Sequence, residues 1–287
     1  MREKKPSRTA LGAAAHRAAH QFLENGGIFA DPLAVTILGK QAQLDALSAR
    51  MQPATRGLRL FIAARSRIAE DALAAGVEAR GVRQLVVLGA GLDTFAYRNP
   101  FSEKLPVFEV DRPETQAWKR RRLTEAGIEA PRSLTYAPVD FERDDLLAAL
   151  EVAGFDPARR TFFMWLGVVP YLTGDAIRST LRAIGGLSGG GEVVFDYSDP
   201  PALLSQEARA AHVKRAKRVA ALGEPFVSYL EPDELHARLR ALGFTLIDDL
   251  GPAALVERYI RPGPRAASEA TSRNRGGHVI FAATPTA

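Results

Sequence analysis

The chain has 287 residues, 46% of them apolar and 25% charged, with a formal net charge of +5 and no cysteine. That composition supports an ordinary globular core and excludes disulfides, thiolate catalysis and cysteine-held metals. No apolar run approaches the roughly 20 residues that cross a bilayer, and the charged start, Met1 to Pro6, leads into no apolar segment of a signal peptide, so a cytoplasmic protein is expected.

Ser7 is placed to cap a helix that runs rich in Ala and Leu to Glu24 and is stopped by Asn25-Gly26-Gly27. Asp31-Pro32 starts a second helix with Leu33, Ile37 and Leu38 on one face, and a third covers residues 58–80, ended by Gly81. Residues 1–80 are therefore expected to form a helical cap. From there the pattern becomes alternating: strands at 85–88, 107–110, 134–139, 161–165 and 192–197, with helices at 114–126, 143–153 and 174–184 between them. This rhythm implies a parallel sheet with helices on both faces and all strand C-termini on one edge, where ligands bind.

After Tyr197 the rhythm breaks. Asp199-Pro200-Pro201 opens a polar helical insertion within 199–230, placed where either a lid or a passive surface helix could lie. Glu231 starts another helix with Leu235, Leu239 and Leu242 at helical spacing, and residues 244–250 and 278–283 read as two final strands. The last lacks a crossover helix before it, so an antiparallel strand is expected, and the polar stretch 263–277 reads as a mobile loop. Residues 81–287 thus make one α/β unit with a Rossmann-like, seven-stranded sheet.

The basic balance leaves nucleic acid open as a partner. The densest cluster, Lys119-Arg120-Arg121-Arg122, falls in a predicted helix with no aromatic ladder after it, so it is either a solvated helix face or a phosphate-binding patch.

The chain is organised around Gln84-Leu85-Val86-Val87-Leu88 running into Gly89-Ala90-Gly91 and then Asp93. A buried strand ending in glycines turns sharply under a ligand, because a Cβ would block the close approach. A dinucleotide fits poorly. Its fingerprint wants a third glycine where Thr94 stands, and the Asp93 carboxylate would repel a pyrophosphate. The short stretch to Phe101 also leaves no room for a long phosphate-binding helix. A cationic ligand without phosphate, such as S-adenosylmethionine, suits Asp93. The second strand ends in Asp111, 20 residues after Gly91, where a carboxylate can accept from both ribose hydroxyls. The third ends Val139-Asp140-Phe141, an acceptor for the adenine amine beside an aromatic wall. Each Asp alone also reads as a turn or helix cap; three at successive strand ends make a pattern.

Residues 84–98, QLVVLGAGLDTFAYR, resemble the first motif of the bacterial leucine carboxyl methyltransferase-like proteins. Arg65-Ser66-Arg67-Ile68-Ala69-Glu70-Asp71, Phe108 to Pro113, Val139 to Phe141, Trp165 to Leu172, and Gly277-His278 agree in order, so the resemblance covers almost the whole chain from Pro6. It implies a class I S-adenosylmethionine-dependent methyltransferase: a seven-stranded α/β sheet, last strand antiparallel, under an N-terminal helical cap. By that resemblance Arg65 pairs with the methionine carboxylate, Gly89, Ala90 and Gly91 pass under the methionine moiety near Asp93, Asp111 holds the ribose, and Asp140 with Phe141 holds the adenine. Arg98 is expected to be a structural arginine at the edge of the site. Many relatives carry an acidic residue in the fourth-strand motif where this chain has Leu166. That shifts the expected acceptor for the cofactor ammonium to backbone carbonyls at Leu166 and Gly167.

Methyl transfer is an in-line displacement that demands alignment and exclusion of water, and an ionised carboxylate acceptor needs no general base. The five histidines, His16, His20, His212, His236 and His278, read as packing or solvated groups. Tyr171 is the first candidate to border the acceptor, with Tyr197 and Tyr229 behind it, and Arg258 and Arg261 are candidates to line a basic pocket. The expected activity is O-methylation of a small-molecule carboxylate or hydroxyl, with no metal and no membrane. The alternatives are an RNA methyltransferase, disfavoured by the lack of an RNA-binding module, and a non-catalytic cofactor-binding protein. Oligomeric state is not readable from the sequence.

Overall fold

The computed structural model describes residues 7–39, 53–260 and 276–286. One mixed sheet of seven strands organises it: β1 (Gln84–Leu88), β2 (Val107–Asp111), β3 (Leu134–Pro138), β4 (Thr161–Trp165), β5 (Gly191–Ser198), β6 (Leu246–Leu250) and β7 (Gly277–Ala283). Their order is β3-β2-β1-β4-β5-β7-β6. The pairs β1–β2, β1–β4, β2–β3 and β4–β5 are parallel, and β7 runs antiparallel to both β5 and β6. The antiparallel last strand expected from the missing crossover helix is therefore present. The expectation of a mobile loop at 263–277 lies outside the described residues except for Gly276 and Gly277.

β1 and β4 are buried at every position, because helices cover both faces of the sheet. Alternate residues serve opposite layers. Val86, Leu88, Phe163, Trp165, Val193 and Phe195 join one cluster with α5 (Leu146–Val152), α6 (Gly174–Gly185) and α8 (Pro232–Ala241). Leu85, Val87, Phe162, Met164 and Val194 join the other with Ile68, Ala69 and Leu73 of α3 (Arg56–Ala79). A third cluster joins α1 (Arg8–Leu23) and α2 (Leu33–Leu38) to Leu92 of the glycine turn and Leu123 of α4 (Pro113–Glu125). In α2 it is Ala34, Ile37 and Leu38 that are buried, while Leu33 is half-buried.

Local chemistry sets the element ends. Ser7 accepts from the Ala10 N–H as the cap of α1, and Asn25 and Gly26 take left-handed φ values of 49° and 62° to close it. The helix expected over 143–153 starts only at Leu146, where Asp145 caps it through the Ala148 N–H. Residues 140–144 are instead a turn, held by the Asp140 N–H on Asp144 Oδ2 at 2.8 Å. The insertion also divides, into a 3-10 turn at Pro201–Leu203 and α7 (Gln206–Ala220), which Ser205 caps. No helix among the described residues is long and apolar enough to cross a membrane.

The basic run on α4 is not uniformly solvated. Arg120 and Arg121 are exposed, but Lys119 is 1% exposed and its Nζ donates to Glu109 Oε2 of β2 at 2.7 Å. Burial pushes the Glu109 carboxyl up from its ordinary value, and the charge and hydrogen bond of Lys119 offset this only in part. Removing one member of such a pair strands the other, which costs about 3–5 kcal/mol. Urea unfolding of Lys119→Ala is expected to show a loss of about that size, and a Lys119→Met, Glu109→Leu double variant should recover most of it.

Candidate functional site

The C-terminal ends of the parallel strands form one edge, and the glycine turn lies at its centre. Ala90 N–H donates to Val110 O at 2.9 Å and the Asp93 N–H to Ala90 O at 2.7 Å, so both Ala90 backbone groups are committed within the turn. Gly89 and Gly91 sit at φ +63° and +48°, a region that other residues enter at a cost of about 1–2 kcal/mol. A Cβ on Gly89 would collide with Val168, and one on Gly91 would come within 3.1 Å of Ala10 in α1. Backbone conformation and close protein packing thus demand these glycines, a reason nearer at hand than the approach of a ligand. Asp93 is half-buried, and its Oδ1 accepts from the Phe95 N–H at 2.8 Å to start the next 3-10 turn.

The position of a third glycine is filled for a physical reason. Thr94 is buried and its Oγ1 donates to Asp31 Oδ1 at 2.7 Å. Arg17 of α1 donates to Asp31 Oδ2 at 3.0 Å and to Leu92 O at 2.6 Å, so the cap is fastened to the glycine turn. Arg98 donates to Thr94 Oγ1 at 3.0 Å and to Glu70 Oε1 at 2.6 Å and stacks over Phe29, as a structural arginine would.

Asp111 reaches back across the turn: Gly91 N–H donates to its Oδ2 at 2.6 Å and Arg112 N–H to its Oδ1 at 2.7 Å. Burial raises its carboxyl above the ordinary range despite those two bonds. A carboxylate has about four acceptor positions, so two remain for ligand donors. The end of β3 lies alongside, with Val139 N–H on Asp111 O at 3.0 Å. Asp140 Oδ1 accepts from the Glu142 N–H at 3.1 Å, and the half-buried Phe141 ring stands 6.5 Å from that of Trp165.

A second focus lies beyond β4. Arg65 of α3 is 9% exposed and donates from Nη1 to Asp196 Oδ2 at 2.8 Å, while Asp196 Oδ1 accepts from Gly167 N–H at 2.6 Å. Arg65 Nε is buried without a hydrogen-bond partner among the described residues. Gly167 has φ +73°, and a Cβ there would stand 2.7 Å from the Arg65 guanidinium. Leu166 is half-buried against the α3 cluster. A carboxylate thus stands at the end of β4 after all, but β5 supplies it. A charge following the apolar run Val193-Val194-Phe195 of β5 was the available sequence signal for Asp196.

Tyr171 is half-buried, its ring 5.4 Å from Phe226 in the insertion, and Thr9 of α1 hydrogen-bonds to it. The insertion is tied down around it: Val227 N–H donates to Pro170 O at 2.7 Å, and Leu230 N–H to Ser198 O at 3.1 Å. Glu224 accepts from Arg8 N–H at 2.9 Å, Thr9 N–H at 3.0 Å and Ser7 Oγ at 3.1 Å, and also from the Thr9 hydroxyl. Those bonds hold Glu224 below the usual carboxylate range although burial opposes it. Residues 224–230 of the insertion therefore bridge α1 and the β4 end.

Two other candidates, Tyr197 and Arg258, stand apart from this cleft. Tyr197 is 2% exposed and donates to Asp249 Oδ2 at 2.5 Å. Arg258 pairs with Asp248 of edge strand β6 at 3.3 Å, and Arg261 lies outside the described residues. Tyr229 stays with the insertion, its OH 2.9 Å from His212 Nε2. Among the described residues no group of three or more His, Asp or Glu could hold a metal ion. His278 lies between Asp249 Oδ1 at 3.1 Å and Asp199 Oδ2 at 3.2 Å, stacked on Tyr197. Burial disfavours its charge, but Asp249 and Asp199 outweigh that and raise it above 6.5. The stability this pairing supplies is complete below about 6.5 and is lost as pH rises through the folded value. An NMR titration of His278 should therefore show a midpoint above 6.5, and Asp249→Asn should lower it.

Residues 10–185 match the family model described as leucine carboxyl methyltransferase. A Mycolicibacterium paratuberculosis (strain ATCC BAA-968 / K-10) protein named "Putative S-adenosyl-L-methionine-dependent methyltransferase" is 32% identical over 286 residues, covering 91% of this chain and 90% of that one. A Bacillus subtilis (strain 168) protein of the same name, YktD, is 35% identical over 174 residues, covering 60% of this chain but only 57% of its own length. Among solved structures, a DUF574 family protein from Streptomyces avermitilis superposes with a TM-score of 0.60 at 18% identity, covering 95% of this chain and 97% of that one. A Thermobifida fusca protein described as a "putative methyltransferase" superposes at 0.61 and 16% identity, covering 98% and 95%.

Proposed function

This chain belongs to the leucine carboxyl methyltransferase family, and with it to the S-adenosylmethionine-dependent methyltransferases; from that premise we propose that it methylates an oxygen, carboxylate or hydroxyl, of a small molecule. The observation that carries the reading is the pairing of two prepared positions on one sheet edge. Asp111 has two acceptor positions to spare beside the glycine turn, and Arg65 has a buried Nε with no acceptor among the described residues.

In this reading Asp111 takes the ribose hydroxyls, whose donors relieve a carboxylate that burial penalises. Arg65, aimed by Asp196, offers its free Nε to the methionine carboxylate, as a planar guanidinium does well. Asp196 and the carbonyls around Leu166 and Gly167 face the ammonium, in place of the acidic residue that Leu166 displaces. Asp140 and Phe141 border the adenine, and the turn at Gly89 to Asp93 underlies the methionine moiety. Helix α1 of the cap and the insertion within 199–230 enclose the acceptor side, where Tyr171 positions the nucleophile.

Bound S-adenosylmethionine would supply a sulfonium methyl group to an acceptor oxygen and leave as S-adenosylhomocysteine, with no proton to remove from a carboxylate and one to release from a hydroxyl. The protein's part is alignment and exclusion of water. A carboxylate acceptor arrives ionised near pH 7, so no histidine base is required. Of the described histidines, His20 is held by Glu24, His278 by two aspartates and His212 by the Tyr229 hydroxyl. The cytoplasm is the compartment proposed.

Calorimetry is expected to show S-adenosylhomocysteine binding to the native protein, with Asp111→Ala weakening it by about a hundredfold or more, the worth of two charge-assisted hydrogen bonds. Absence of binding at millimolar concentration would sink the reading.

A further inference from the structure

The inner face of α7 carries a charge that no carboxylate among the described residues pairs with. On this helix His212, Arg215 and Val219 share one side at helical spacing; His212 and Val219 are buried and Arg215 half-buried. The other basic residues of α7, Arg209, Lys214, Lys217 and Arg218, are exposed. Arg215 lies with its guanidinium carbon 5.7 Å from the Phe226 ring centroid. Its Nε is buried without a partner, and its Nη2 approaches His212 Nδ1 only at 3.5 Å. No carboxylate among the described residues forms an ion pair with it.

A guanidinium brings five donors and a permanent charge, and withdrawing such a group from water without an anion is costly. Burial pulls Arg215 below its ordinary value, and Tyr171, Tyr229 and Asp196 counter that only in part. The ring contacts locate it: Arg215 stands over Phe226, which packs against Tyr171 just past β4. Around it stand flat aromatic surfaces: Tyr171 against Phe226 at 5.4 Å, His212 stacked on Phe226 at 5.7 Å, and Tyr229 edge-on to His212 at 5.2 Å.

We propose that Arg215 is the residue that selects the methyl acceptor by charge, taking small organic anions with a flat or apolar body seated among Tyr171, Phe226 and Tyr229. This rests on the methyltransferase reading and narrows it from a carboxylate or hydroxyl compound to an anionic one. The anion completes the hydrogen bonding of a guanidinium that the fold leaves open, and the aromatic walls cover the remainder of the molecule. The insertion then does more than exclude water, because it carries the specificity charge on its inner face.

The test uses the intact protein saturated with S-adenosylhomocysteine, with calorimetric titration of 3-phenylpropanoate and of 3-phenylpropan-1-ol. The native protein should prefer the carboxylate by about tenfold or more, the usual worth of a charge-assisted hydrogen bond in a partly dry site. Arg215→Gln should reduce the preference to within about twofold, Arg215→Lys should restore part of it, and the exposed Lys214→Gln should leave it intact. S-adenosylhomocysteine affinity should be the same in all four proteins, which also shows that they are folded. A native protein that binds the cofactor product but does not favour the carboxylate overturns the proposal, as does a preference that survives Arg215→Gln. A fall in cofactor affinity in Arg215→Gln would assign the guanidinium to the methionine carboxylate and overturn it equally. Failure of the native protein to bind S-adenosylhomocysteine strikes the methyltransferase reading itself.

Discussion

A single buried carboxylate joins the helical cap to the sheet. Asp31 is fully buried, and it accepts from Arg17 on α1, from Thr94 in the glycine turn, and from the Leu33 and Ala34 N–H groups that open α2. Arg98 adds its charge at 3.5 Å. Burial alone would raise Asp31, yet the two arginines and Thr94 bring it below the usual range, so it remains ionised at neutral pH. An ion in that position is tolerable only if every partner stays in place. The cap, the turn after β1 and α3, which holds Arg98 through Glu70, are thereby locked into one arrangement. The proposed cofactor and acceptor surfaces both depend on it.

That hub also shows what could and could not be read from the residues. Thr94 was visible as a departure from a dinucleotide fingerprint, and the rejection of that ligand class followed. The purpose of Thr94 was hidden, because its partner lies 63 positions earlier and no local pattern couples them. The sheet was legible almost strand for strand, since buried parallel strands are short apolar runs and the crossovers between them are periodic helices. The missing crossover before β7 gave its direction.

Side-chain partnerships across long sequence separations escaped. Leu166 signalled a lost carboxylate, but only the fold shows Asp196 on β5 arriving beside Gly167. Lys119 was read with its neighbours as part of a basic run, although one residue per turn of that helix must face the sheet, and Lys119 is that residue. Tyr171, Tyr197 and Tyr229 looked equivalent as tyrosines near strand ends. The structure separates them by what their hydroxyl groups already hold: Tyr197 is committed to Asp249, Tyr229 to His212, and Tyr171 to the first turn of α1.

The bonds that Glu224 takes from that first turn have a dynamic consequence. A helix begins with backbone N–H groups that have no intrahelical acceptor, and those of Arg8 and Thr9 find theirs in a side chain from the far end of α7. Any displacement of Glu224 would strip these two amides of their acceptor and leave the start of α1 free to fray, so the solvent exchange of the Arg8 and Thr9 amide protons would report whether this contact is made.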